Sequence, residues 1–198
     1  MTHYFRPDKY KLGKKQIISF VYRGVTLEFI TYSSLFSGNK VDLGTELLLE
    51  HAIIVEKGTV LDVGCGYGVI GISLAKAFPD LQVYMVDINP VAVKMARYNA
   101  RLNGVEERVK ILQGKVYEPV KNMVFDIIIS NPPLSAGRSV VEEIIMGSIE
   151  HLRRGGYAEF VLARGANYYI DKLSSRNDVE IIKNVSRKGY TILIFRRK

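Results

Sequence analysis

Thr59–Phe78 reads TVLDVGCGYGVIGISLAKAF, and how this stretch divides decides the fold. Its first part is a short apolar run that ends in glycines at positions 64, 66 and 68. From Val69 onward the apolar residues recur at helical spacing. A strand that turns on glycines into a helix is the opening unit of an open α/β sheet. Glycine at such a turn permits tight backbone geometry and lets a ligand touch main chain that a side chain would shield.

Downstream the same alternation repeats. QVYMVDI reads as a strand, and PVAVKMARYNARLNG as a helix with proline in its first turn and glycine after its end. RVKILQG and FDIIIS are two further strands, and SVVEEIIMGSIEHLRRGG is a helix closed by a double glycine. YAEFVLA is a strand and ANYYIDKLSSR a helix, while VEIIKNVSR and YTILIFRRK are adjacent strands split at Lys188-Gly189. Upstream, QIISFVYRGVTLEFITYS holds two β-rich runs separated at Gly24, a hairpin pattern, and GTELLLEHAI is a short helix. The expected fold is a Rossmann-like α/β sheet, mostly parallel, with an antiparallel C-terminal hairpin and an N-terminal β-hairpin. Residues 1–41 are expected to form a basic segment and hairpin extension, and residues 42–198 the main domain.

At 198 residues, 47% apolar and 24% charged, the chain has the composition of a globular protein with a substantial core. A single cysteine, Cys65, excludes an intrachain disulfide. No apolar run approaches the roughly 18–20 residues that span a bilayer, and MTHYFRPDKY has no signal-peptide core, so a cytoplasmic location is expected. No metal site is expected, and His3, His51 and His151 read as surface or packing residues. The net charge is +8, concentrated in RPDKYKLGKK near the start and VSRKGYTILIFRRK at the end. Such segments are either solvated termini or surfaces that draw phosphates, and Tyr4, Phe5, Tyr10 and Tyr22 lie close enough to suit either base stacking or packing.

The glycine turn has the spacing G-x-G-x-G, with Val69 where a dinucleotide fingerprint carries its third glycine, which counts against NAD or FAD. Asp87 ends the next strand, where a carboxylate can accept both hydroxyls of a ribose; the alternative is a helix cap ahead of Asn89-Pro90. Asp62, beside the turn, would repel a pyrophosphate but suits a cationic nucleoside, a description that S-adenosylmethionine meets. The fourth strand runs into Asn131-Pro132-Pro133-Leu134, which ends a sheet ladder at once because proline has no N–H. The glycine turn, Asp87 and this tetrapeptide should share the carboxyl edge of the sheet.

LDVGCGYGVIGISLA, VDIN and SNPPL together resemble motifs of the class I S-adenosylmethionine-dependent methyltransferases. With LFSGNKVDLGTELLLE upstream, the chain from about Leu43 onward resembles the small-subunit ribosomal RNA guanine-N2 methyltransferase C family, in its short archaeal single-domain form. The resemblance implies S-adenosylmethionine as cofactor. It places Gly64, Cys65, Gly66, Tyr67 and Gly68 along the methionine part, with Asp62 beside them. Asp87 falls on the ribose, and Ile88, Gly114, Lys115 and Val116 around adenine. Asp42, Gly44 and Thr45 match the upstream D-x-G-T and would close over the amino-acid end. Relatives carry an acid near position 115; lysine cannot accept the adenine amino hydrogen, so backbone must do so.

In this resemblance Asn131 and the Pro132 carbonyl receive the amine to be methylated, and Pro133 helps keep them rigid. Leu134 stands where adenine-N6 and glutamine-N5 methyltransferases carry an aromatic, which weakens protein glutamine or DNA adenine as substrate. Phe36 could supply the missing stacking, and Arg138 could reach a phosphate or guanine O6. RNA, ribosomal or transfer, is the expected partner. A catalytically silent RNA-binding assembly factor is the reading from another class.

Overall fold

The structure is a computed structural model of the chain, and it describes residues 13–33, 40–133 and 137–198. Phe36 and Leu134, and the basic segment before Gly13, lie outside the described residues.

β1 (Lys15–Tyr22) and β2 (Val25–Tyr32) pair antiparallel along their whole length. They turn at Arg23-Gly24, both at positive φ (47° and 80°), the two-residue geometry that matches strand twist. α1 (Leu43–His51) follows, capped by the Asp42 carboxylate, which accepts from Thr45 N–H. Then come β3 (Lys57–Val63), α2 (Val69–Ala77), β4 (Asp80–Asp87), α3 (Pro90–Leu102), β5 (Val109–Gln113) and β6 (Phe125–Ser130). The chain closes with α4 (Arg138–His151), β7 (Leu152–Leu162), α5 (Ala166–Ser174), β8 (Val179–Arg187) and β9 (Tyr190–Arg197).

β3 to β9 form one sheet in the order β5-β4-β3-β6-β7-β9-β8. It is parallel through β7, and β9 enters antiparallel between β7 and β8. The order reverses at β3, with β4 and β5 laid to one side and β6 onward to the other, which opens a crevice at the carboxyl ends of β3 and β6. Alternate strand residues feed two apolar layers. Val60, Ile127, Ile129 and Ile192 join α1, α2, α3 and the hairpin; Leu61, Ile128, Leu193 and Phe195 join α4 and α5.

The hairpin docks through side chains that imitate a strand. Asn99 on α3 accepts from Ile30 N–H (2.8 Å) and donates to Ile30 O (2.9 Å). Asn103, one turn on, does the same for Glu28 (3.1 and 2.8 Å). Asn99 also donates to Tyr67 O (2.9 Å), which ties the glycine turn to the same element.

The double glycine does not close α4. That helix stops at His151, and Leu152-Arg-Arg-Gly-Gly already belongs to β7, opposite Phe125. Gly155 takes φ +81° within a register shift, and a side chain at Gly156 would strike Asp126 O at 2.8 Å. These glycines therefore serve a close backbone approach in a bulged strand.

Candidate active site

The glycine turn hangs from β4: Gly64 N–H and Cys65 N–H both donate to Val86 O (2.8 and 3.1 Å). Gly64 and Gly66 adopt left-handed φ (73° and 57°), which other residues take only under strain. Gly66 N–H then donates to Asp87 Oδ2 and Asn89 N–H to Oδ1, each at 2.8 Å. Asp87 is not the cap of α3; Asn89 is, accepting from Val91 N–H. Each oxygen of Asp87 keeps capacity for one more donor. Burial raises its pKa, opposed by the backbone N–H groups around it.

Asp62 lies beneath the turn. Its Oδ2 accepts from Gly71 N–H (2.9 Å), while its buried Oδ1 has no hydrogen-bond partner among the described residues. Burial, together with the nearby Asp87 charge, pushes its pKa up to about 7. Gly68 also faces inward, where a Cβ would come within 2.6 Å of Ile72.

Two clefts open over this frame and share Gly64 and Asp87. One is polar, walled by Asp42, Thr45, Cys65, Gly66, Tyr67, Asn89 and Asn131. The other is an apolar slot between Val63, Val86, Ile88, Gly114, Lys115, Val116 and Pro133, closed by Val140 and Ile144 of α4. A carboxylate between a polar and an apolar cleft suits a ligand with a charged amino-acid end, a ribose and a flat base, in that order. The residues lining the two clefts fit S-adenosylmethionine, whereas Asp62, buried beneath the turn, lines neither cleft and shapes the turn from below. Lys115 lines the apolar slot with its side-chain ammonium ion-paired to Glu143 of α4 (2.8 Å).

Asn131 follows β6 at the crevice. Its Nδ2 donates to Asp42 Oδ2 (2.8 Å) and to Thr45 Oγ1 (2.9 Å). Carboxylate oxygen can only accept, so the nitrogen of the amide must face α1 and the carbonyl oxygen is left for another donor. A side chain at Gly44 would meet the Tyr190 ring at 2.9 Å and Asp42 Oδ2 at 2.8 Å. The upstream D-x-G-T, besides lining the polar cleft, has a local role: Asp42 caps α1 and holds Asn131, Gly44 admits the Tyr190 ring, and Thr45 supplies the second tether. The Asp42 charge also raises the pKa of Tyr190, and burial followed by that same charge raises Tyr67.

Arg138 begins α4, its guanidinium 3.9 Å from the centroid of the Tyr168 ring. With Pro132 it lines a third cleft that also holds Arg164 and Tyr168. Arg164, Tyr168, Val140, Ile144 and Asn89 were not singled out in the sequence. Val140 and Ile144 read there as an ordinary helix face, and no local pattern marks a residue that joins a site only through the fold. His51 bonds Leu47 O, and His151 stacks on Tyr117 at 4.5 Å. Among the described residues no group of acidic, histidine or cysteine side chains could hold a metal ion.

The sequence profile of the methyltransferase small domain family matches residues 26–193. The chain is 38% identical to the uncharacterized protein YbxB of Bacillus subtilis over 195 residues, 96% of each chain. It is 36% identical over 142 residues to ribosomal RNA small subunit methyltransferase C of Escherichia coli K12, covering 70% of this chain and 40% of that one. The chain therefore spans about two-fifths of the length of that enzyme. Its fold is like that of the 16S rRNA N2 G1207 methyltransferase of Thermus thermophilus, solved with AdoMet and guanosine. The TM-score is 0.78 at 23% identity, over 93% of this chain and 51% of that one. With a profile match that runs from β2 to β9 and the glycine turn, Asp87 and Asn131 gathered at one sheet edge, the chain belongs to the methyltransferase small domain family of S-adenosylmethionine-dependent methyltransferases.

Proposed function

We propose that this protein methylates the exocyclic 2-amino group of guanine in RNA, ribosomal RNA first and transfer RNA second, in the cytoplasm. The observation that carries the reading is the fixed Asn131 amide, whose nitrogen is spent on Asp42 and Thr45. The names of the curated relatives and of the Thermus thermophilus neighbour support RNA, and the latter guanine N2.

Bound in the shared clefts, S-adenosylmethionine supplies a methyl group already activated by its sulfonium. The chain's task is then alignment. An exocyclic amine is a weak nucleophile because its lone pair is delocalised into the ring. Asn131 Oδ1 and the Pro132 carbonyl, accepting its two N–H bonds, hold the nitrogen and favour a pyramidal geometry. Pro132 is buried and Pro133 packs by Gly64, so the acceptors sit on backbone that cannot pair or swing. No side chain need take the proton before transfer, since the methylated nitrogen can lose it afterwards. Asp87 positions the donor through its ribose, and the apolar slot excludes water from the base.

The test is incubation of the protein with labelled donor and total RNA, DNA and protein. Label is expected in RNA. Label confined to protein or to DNA would support a glutamine-N5 or adenine-N6 enzyme, and absence of donor binding by calorimetry a silent assembly factor.

A further inference from the structure

Successive residues of the tetrapeptide face different spaces. Asn131 lines the polar cleft, Pro133 the apolar slot, and Pro132 a third cleft with Arg138, Leu162, Arg164 and Tyr168. Pro132 directly follows Asn131, so this cleft lies next to the place proposed for the amine.

Its chemistry is cationic over an aromatic floor. Tyr168 is held by its hydroxyl, which donates to Glu142 (3.2 Å), and Lys172 pairs with the same carboxylate. Lys172 and, to a smaller extent, Arg138 lower the pKa of Glu142, and the Lys172 pair offsets its charge, so Glu142 fixes the platform beside the arginine. Arg138 stacks on the platform at 3.9 Å, an arrangement that leaves the N–H edge of a guanidinium outward. Arg164 is exposed at the end of β7. Among the described residues neither arginine has a carboxylate within ion-pair distance. Arg153, Arg176, Arg187 and Arg196 are each paired with one. Two unpaired forks beside a fixed ring suit the bidentate geometry of a phosphodiester.

We propose that this cleft is a phosphate subsite, in which Arg138 and Arg164 grip the backbone of single-stranded RNA next to the methylated nucleotide. The inference rests on the RNA reading above and adds where the strand runs. A phosphate contact positions the strand without reading sequence, so it acts on affinity for RNA of any sequence.

The experiment measures transfer to an RNA oligonucleotide by wild type, Arg164→Ala, Arg138→Ala and the two lysine variants, across salt concentrations. Each alanine variant is expected to raise KM about tenfold and to reduce the salt slope of RNA affinity by about 0.7 for a single strand. Lysine should restore the salt slope but only part of the KM, because it lacks the fork. Donor affinity by calorimetry should be unchanged, which reports an intact fold. Arg164 is exposed and, unlike Arg138, is not stacked on the Tyr168 ring among the described residues, so its variant is the decisive one. If it labels RNA with unchanged KM and salt slope, the subsite is wrong while the RNA reading stands. If wild type labels no RNA, the reading itself fails and the subsite with it.

Discussion

Both amide hydrogens of Asn131 are committed, and that fixes which of its atoms can act on a substrate. Asn131→Ala should lower kcat by about 10²–10³ while donor affinity, measured by calorimetry, is retained. Thr45→Val keeps the shape and loses one tether, so kcat should fall about tenfold, the worth of roughly one hydrogen bond. Asp87→Ala should instead weaken donor binding about a hundredfold, by loss of charge-assisted bonds to ribose. Because burial raises the Asp87 pKa, protonation removes these acceptors at a higher pH than in a free aspartate. Donor affinity in wild type should therefore fall on acidification; a flat profile through the acid range would count against the ribose contact. That Asn131 and Asp87 share one sheet edge was legible in sequence, because Asp87 ends one strand and Asn131 directly follows another within a local motif. The Asp42–Asn131 bond was not, since 89 positions separate its partners and only the sheet brings them together.

At the scale of elements, α3 serves as a surrogate strand for the hairpin, with Asn99 and Asn103 spaced one helical turn apart. Asn99→Ala would leave Ile30 N–H, Ile30 O and Tyr67 O short of a partner, at a cost of about 2–4 kcal/mol. Hydrogen exchange should show the loss first in β1 and β2. The sequence announced the hairpin through Gly24 but not its docking, because asparagines in a polar helix face look like solvated residues. The boundary of α4 failed for a related reason. A double glycine reads as a helix stop, yet here Gly155 and Gly156 allow a bulged strand to pass close to Asp126.

Over the whole molecule, the parallel sheet and its switch point were legible from strand–helix alternation alone, whereas the placement of charge was not. Arg196 and Arg197 end β9 opposite the start of β7, far from the crevice, bound to Glu180 and to Leu152 O. Glu159 is a further global feature: it is buried in β7, with Oε1 accepting from Ile53 N–H (2.9 Å) and Oε2 without a hydrogen-bond partner among the described residues. Burial lifts its pKa from 4.5 to about 8. The folded state thus binds its proton more tightly than the unfolded one, and stability should decline as pH rises from about 4.5 to about 8. Glu159→Gln mimics the protonated form, so its Tm should exceed that of wild type at alkaline pH and match it near pH 5. Equal thermal curves at both pH values would show that the carboxyl is not held neutral.

The most direct measurement is mass spectrometry of nucleosides from RNA incubated with S-adenosylmethionine and either wild type or Asn131→Ala. N2-methylguanosine should form with wild type and fall by about 10²–10³ in initial rate with the variant. N6-methyladenosine, methylation of protein alone, or undiminished product from Asn131→Ala would contradict an amine held by Asn131 and Pro132.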